Sequence, residues 1–255
     1  MAYLERDGVR IHYDRSGSDN GRLPLLLTHG YGASAQMWGP NIVALAAAGP
    51  VITWDLRGHG SSDCPDDQAE YTQAASVADM AAVLDACDAP CAVVGGLSLG
   101  GYLSLAFWLA HPERVAALLL CDTGPGYRND EARQRWNDRA IRTAQRLERD
   151  GLAALGPGPH TPDAANWSPR GLAMAARGIL TQQDGSVIES LPSIDVPVLV
   201  LVGADDQPFL GAADYLSAKI PRARKVVIEN AGHMCNIDKP DLFDRYVMEF
   251  LSQAG

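Results

Sequence analysis

Six short, mostly apolar runs constrain this chain most: residues 23–28, 51–54, 91–94, 115–121, 198–202 and 225–228. A strand with one wet face alternates apolar and polar residues, whereas an unbroken apolar run must be buried on both faces. Helical periods separate the runs. Alternation of this kind predicts an α/β fold, a mostly parallel sheet with helices on both faces, whose ligands gather at the C-terminal strand ends. The segment Val9-Arg10-Ile11-His12-Tyr13 does alternate, and it reads as an edge strand after a turn at Asp7-Gly8. Ser76-x-x-Asp79 reads as a capping box opening a helix with Val77, Met80, Ala81 and Leu84 on one face. Near the end Asp238 is expected to cap a helix that has Pro240 in its first turn and Leu242, Phe243, Tyr246, Val247 and Phe250 inside.

One stretch breaks the alternation. Residues 124–190 contain no clear strand, only helical pieces and the breaker Gly156-Pro157-Gly158-Pro159. Ala132, Trp136, Ala140, Ala144 and Leu147 fall on one helical face. The expected organisation is therefore a core of residues 1–123 and 191–255 with a helical lid inserted at 124–190. The arginine-rich segment 128–149 also holds Asp130, Glu131, Asp138 and Glu148. It reads as a salt-bridged, solvated helix, the alternative being a funnel for anionic substrates.

A net charge of −10 argues against a nucleic-acid or anionic-membrane surface. The first residues lack the apolar core of a signal peptide and no later run resembles a membrane span, so the expected location is cytoplasmic. The five cysteines (Cys64, Cys87, Cys91, Cys121 and Cys235) are odd in number and scattered, which suggests reduced thiols rather than a disulfide frame or a metal site.

Gly96-Leu97-Ser98-Leu99-Gly100 carries the chemistry. It follows an apolar run and precedes a helical one, the setting of a nucleophile elbow, with the glycines leaving room around Ser98. With 25 glycines in the chain the bare pattern has a real chance rate, so its surroundings decide. A serine hydroxyl needs a base to take its proton and a third group to orient that base. Two later turns supply them. Gly203-Ala204-Asp205-Asp206 follows one buried run, and Asn230-Ala231-Gly232-His233 follows another, so both emerge at the same sheet edge as Ser98. The chain order is Ser, Asp, His.

These residues, together with His29-Gly30-Tyr31-Gly32 and Asp55-Leu56-Arg57-Gly58-His59-Gly60-Ser61-Ser62, resemble the α/β-hydrolase superfamily from about Val9 onward, lid apart. The likeness is to its small, cofactor-free branch of carboxylesterases, enol-lactonases, C–C bond hydrolases and perhydrolases. The resemblance implies Ser98 as nucleophile, His233 as general base and acid, and Asp206 as the orienting acid, with Asp205 adjacent and Asp122 as a second candidate. It implies backbone N–H groups of Tyr31 and Leu99 as oxyanion donors, with no metal and no cofactor. Tyr31, Trp38, Trp136 and Trp167 are candidates for the substrate pocket. His29 and His59 are expected to support loops, and His12, His111 and His160 to be surface or capping residues. The expected partner is a small ester or lactone, hydrolysed through an acyl-enzyme. Enol-lactone or C–C hydrolysis, perhydrolysis, acyl transfer and slow-turnover ligand reception remain open alternatives. A serine at the elbow disfavours the alkyl-enzyme chemistry of relatives that carry aspartate there.

Overall fold

The computed structural model describes residues 2–155 and 167–254. Gly156-Pro157-Gly158-Pro159 and His160 lie outside the described residues. Eight strands form one sheet: β1 (Ala2–Arg6), β2 (Val9–Ser16), β3 (Leu25–Thr28), β4 (Val51–Trp54), β5 (Ala92–Leu97), β6 (Val115–Cys121), β7 (Val198–Gly203) and β8 (Ala223–Ile228). Their order is β1-β2-β4-β3-β5-β6-β7-β8, with β2 antiparallel to both its neighbours, β1 and β4, and all other pairings parallel. The expected parallel sheet is therefore present. The chain steps from β3 out to β4, then returns to β5 on the other side of β3. That reversal opens a crevice between the ends of β3 and β5, where an α/β sheet binds ligands.

The main helices are α1 (Gly39–Ala48), α2 (Gln73–Ala86), α3 (Leu99–Ala110), α4 (Asp130–Asp150), α5 (Pro169–Gly178), α6 (Ser186–Ser190), α7 (Gln207–Lys219), α8 (Cys235–Asp238) and α9 (Pro240–Ala254). Successive strand residues face opposite sides, so a strand buried on both faces feeds two cores. Leu26, Ile52, Val94 and Val200 pack with Met80, Leu103, Phe107 and Leu216 of α2, α3 and α7. Leu25, Leu27, Val93 and Leu199 pack with Leu45, Phe243 and Val247 of α1 and α9. Each such buried side chain contributes about 1.5–3 kcal/mol.

Between β6 and β7 the described residues contain helices and no strand. Ala144, Leu147, Trp167, Leu172, Ala173 and Ala176 make a satellite core there, while Ala175, Val187 and Ile188 join the main core. Trp167 packs inside that satellite core. The arginines of α4 include ion pairs with Asp130 (Arg133, 2.5 Å) and Asp150 (Arg149, 2.7 Å), and Glu148 of α4 pairs with Arg177 at 2.8 Å.

Four local expectations need correction. β2 is interior, because Ala2–Arg6 adds an outer strand through a tight hairpin at Asp7 and Gly8, both at positive φ (54° and 78°). Helix α2 starts one turn before Ser76: Thr72 caps it by accepting from Ala75 N–H at 3.0 Å. Asp79 is instead buried, binding Arg57 Nε at 2.7 Å and Arg6 Nε at 2.5 Å. Asp238 closes α8 and accepts from Gly232 N–H at 2.7 Å rather than capping α9. His12 is buried, not a surface residue, and its Nδ1 lies 2.8 Å from Asp55 Oδ2.

Candidate active site

Ser98 is the single residue between β5 and α3. Its backbone stands at φ 54°, ψ −114°, a conformation that costs a non-glycine residue about 1–3 kcal/mol. Three hydrogen bonds hold it there. Ser98 N–H donates to Cys121 O at 2.9 Å, and Ser98 O accepts from Tyr102 N–H at 3.1 Å and from Thr123 Oγ1 at 2.6 Å. The flanking glycines do something slightly different from the expectation. A Cβ on Gly96 would lie 2.6 Å from Thr28 O and 2.5 Å from the Gly100 carbonyl carbon, and one on Gly100 would collide with Thr28 O. They make room less for the serine side chain than for the backbone of β3.

Asp206 lies three residues beyond the end of β7, immediately before α7, and is buried. His233 lies in the loop between β8 and α8, and its Nδ1 is 2.8 Å from Asp206 Oδ2. An ionised carboxylate only accepts, so Nδ1 carries the proton and Nε2 of the neutral ring presents its lone pair. Burial pulls the His233 pKa down, but the hydrogen bond and charge of Asp206, with the charge of Asp122, outweigh it and leave the pKa raised. Phe209 of α7 stacks on the ring at 4.8 Å. Ser98 Oγ and His233 make no hydrogen bond with each other; such contacts commonly tighten only with substrate.

Asp205 is exposed on the turn, so the structure pairs His233 with Asp206. Asp122 is fully buried. It accepts from Gly203 N–H at 2.8 Å and Cys235 N–H at 3.1 Å, tying the ends of β6 and β7 to the start of α8 just beyond His233. Burial pushes its pKa up to about 6 despite these bonds. Cys235 is buried, and burial raises its thiol pKa well above the usual range.

The two proposed oxyanion donors flank the crevice. Tyr31 follows β3, and Leu99 N–H opens α3; neither N–H reaches an acceptor among the described residues. The Tyr31 hydroxyl donates to Leu172 O of α5 at 2.8 Å. His29 supports the neighbouring loop, its Nε2 accepting from Leu56 N–H at 3.0 Å. Asp55 accepts from Ala35 N–H (2.6 Å) and Ser61 N–H (2.9 Å), which makes the 55–62 motif a staple between loops. His59 is buried beside His29, and burial drives its pKa down to about 3, so it stays neutral.

Ser98, Leu99, Asp206 and His233 share one cavity of about 550 Å³ with Tyr31 and Tyr102. The 123–127 loop lines one side, Pro208, Phe209 and Ala212 of α7 another, and Trp136, Arg139, Ala140, Thr143, Leu180 and Gln182 form the roof. Of the proposed pocket aromatics, Tyr31 and Trp136 therefore line the cavity. Trp38 and Trp167 do not. Trp38 is fully buried 6.1 Å from the Phe243 ring, on the α1/α9 side of the sheet, and Trp167 fills the satellite core. Tyr127, Arg139, Gln182 and Phe209 are lining residues that the sequence reading missed. None sits in a motif, and only the packing of the helical segment brings them together.

The chain is similar to known proteins over nearly its whole length. The chain is 26% identical to the 3-oxoadipate enol-lactonase 1 of Acinetobacter baylyi, covering 93% of this chain and 91% of that protein. Its fold superposes on a thermophilic esterase from Thermogutta terrifontis with a TM-score of 0.84 and 27% identity, covering 99% and 97% of the two chains. It also superposes on the enol-lactonase from Burkholderia xenovorans LB400 with a TM-score of 0.82 and 26% identity, covering 98% and 100%. The Alpha/beta hydrolase family matches residues 25–245, and the chain belongs to that family.

Proposed function

We propose that this protein is a serine hydrolase acting on a small to medium carboxylic ester or lactone. The observation that carries the reading is the Asp206–His233 hydrogen bond in the cavity where Ser98 stands on its strained turn. His233 Nε2 takes the hydroxyl proton as Ser98 Oγ attacks the carbonyl, and Asp206 stabilises the imidazolium that results. The N–H groups of Tyr31 and Leu99 receive the oxyanion, a single donor being worth about 3–4 kcal/mol. His233 then protonates the leaving alkoxide, and water activated by the same ring releases the acid.

Residues 124–190 act as a lid on the core of residues 1–123 and 191–255. A cavity of about 550 Å³ suits a small to medium ligand. The esterase and enol-lactonase relatives support an ester or lactone as the bond cleaved.

The test is the initial rate on p-nitrophenyl esters of increasing acyl length, wild type against Ser98→Ala. The variant is expected to lose about 10⁴-fold or more in kcat. A rate that survives the substitution overturns the mechanism. Negligible wild-type turnover shifts the weight to a specialised enol-lactone or C–C substrate.

A further inference from the structure

The cavity roof holds polar groups that the proposed chemistry leaves unused. Gln182 is 7% exposed, and its backbone is pinned from both sides: Gln182 N–H donates to Asn137 Oδ1 and Gln182 O accepts from Asn137 Nδ2, each at 2.8 Å. Its Oε1 accepts from Tyr127 N–H at 3.2 Å. That bond settles the amide's orientation, because only the oxygen can accept. The NH₂ end is left with two donors and no acceptor among the described residues, at a side chain that lines the cavity.

Arg139 lines the same cavity and is exposed, so it stands where the cavity meets solvent. It is the only lysine or arginine among the described lining residues, and it pairs with no carboxylate among the described residues. Two nearby hydroxyls are already engaged as donors. Thr143 Oγ1 donates to Arg139 O at 3.2 Å, and Tyr102 OH donates to Gln73 Oε1 at 2.9 Å. The neighbouring carboxylates are already engaged: Asp138 accepts from Gln134 at 2.8 Å, Asp130 pairs with Arg133 at 2.5 Å, and Asp184 accepts from Ser186 N–H at 2.9 Å. Asp206 is taken up by His233.

An amide NH₂ and a guanidinium offer donors only, and their complement is a group that only accepts and carries negative charge. The protein as a whole is acidic at −10, so its net field does not attract such a group and the attraction must be local. We propose that Gln182 and Arg139 form a carboxylate subsite, so that the substrate is an ester or lactone bearing a carboxylate away from the bond cleaved. This rests on the serine-hydrolase reading only for the word substrate; the subsite itself is a matter of binding.

The probes are monoethyl glutarate and its neutral isostere ethyl 5-methylhexanoate, in which an isopropyl group replaces the carboxylate. The wild-type kcat/KM ratio, acid over isostere, is expected to exceed about ten, since charge-assisted hydrogen bonds are the strong ones. Arg139→Gln should cut that ratio about tenfold. Gln182→Glu keeps the acceptor for Tyr127 N–H and replaces the donors by a negative oxygen, so it should drive the ratio below one. Arg142→Gln, on the same helix but outside the cavity lining, should leave the ratio unchanged. A wild-type ratio at or below one, or a ratio indifferent to both roof variants, overturns the subsite.

If neither ester is turned over in a Ser98-dependent way, the simple-ester reading fails and the subsite is tested by calorimetric titration of glutarate. Binding weakened about tenfold by Arg139→Gln supports it, and no binding to the wild type overturns it.

Discussion

The sheet edge that carries Ser98, Asp206 and His233 and the helical roof above it are built on different principles. At the edge, backbone sets position. Gly96 and Gly100 let β3 touch the elbow, a Cβ on Gly203 would collide with Gly232 O, and Asp122 bonds two backbone N–H groups across three elements. In the roof, side chains set position. Trp136 Nε1 donates to Leu180 O at 2.8 Å, Asn137 brackets Gln182, and a small satellite core holds α4 to α5. Backbone contacts tolerate almost no substitution, whereas side-chain contacts can be exchanged for others of similar size. The difference suggests an edge that holds one chemistry and a roof that can vary its ligand.

The sharpest way to break that contrast is to add one methyl group in each region. Gly100→Ala puts a Cβ into Thr28 O and is expected to cost more than about 4 kcal/mol, or to yield no folded protein. Gly151, at the end of α4, has open space around it among the described residues but a φ of 63° and ψ of −150°, so Gly151→Ala should cost about 1–3 kcal/mol. Urea unfolding of both variants measures this, and equal costs would remove the distinction.

A middling effect should come from pH and belong to the edge alone. The base must be neutral, and the His233 pKa is raised above its ordinary value of about 6.5. The kcat/KM should therefore fall as pH drops through that raised value and level off above it. A profile flat from about pH 5 to 8 would show that His233 is not the base.

The smallest effect is expected in the roof. Trp136→Ala should move the acyl-length optimum of the ester panel and change kcat/KM by about tenfold, the low end of the about 1–3 kcal/mol that one pocket contact is worth. A loss approaching that of Ser98→Ala would mean the roof takes part in the chemistry.

How much could be read beforehand follows the same division. β4 and β6 run over the residues expected of them, because an unbroken apolar run admits little besides a doubly buried strand. The outer strand β1 was missed: with its alternating exposure at a sheet edge it carries little hydrophobic signal. Ser76 and Asp79 satisfied a capping pattern, yet Asp79 is a buried partner of Arg57 and Arg6, since a local motif cannot register a charge that arrives from a distant strand. His12 was misread for the same reason.

The sequence by itself determined the parallel sheet and which residues stand at its C-terminal edge. Strand burial and the glycines of a tight turn are local demands, written in consecutive residues. Only the tertiary structure decided that Trp136 lines the cavity while Trp38 and Trp167 lie in cores, and that Arg139 and Gln182 share the cavity with Ser98. Those facts depend on how helices pack across large sequence separations, where many side-chain arrangements satisfy the same apolar pattern.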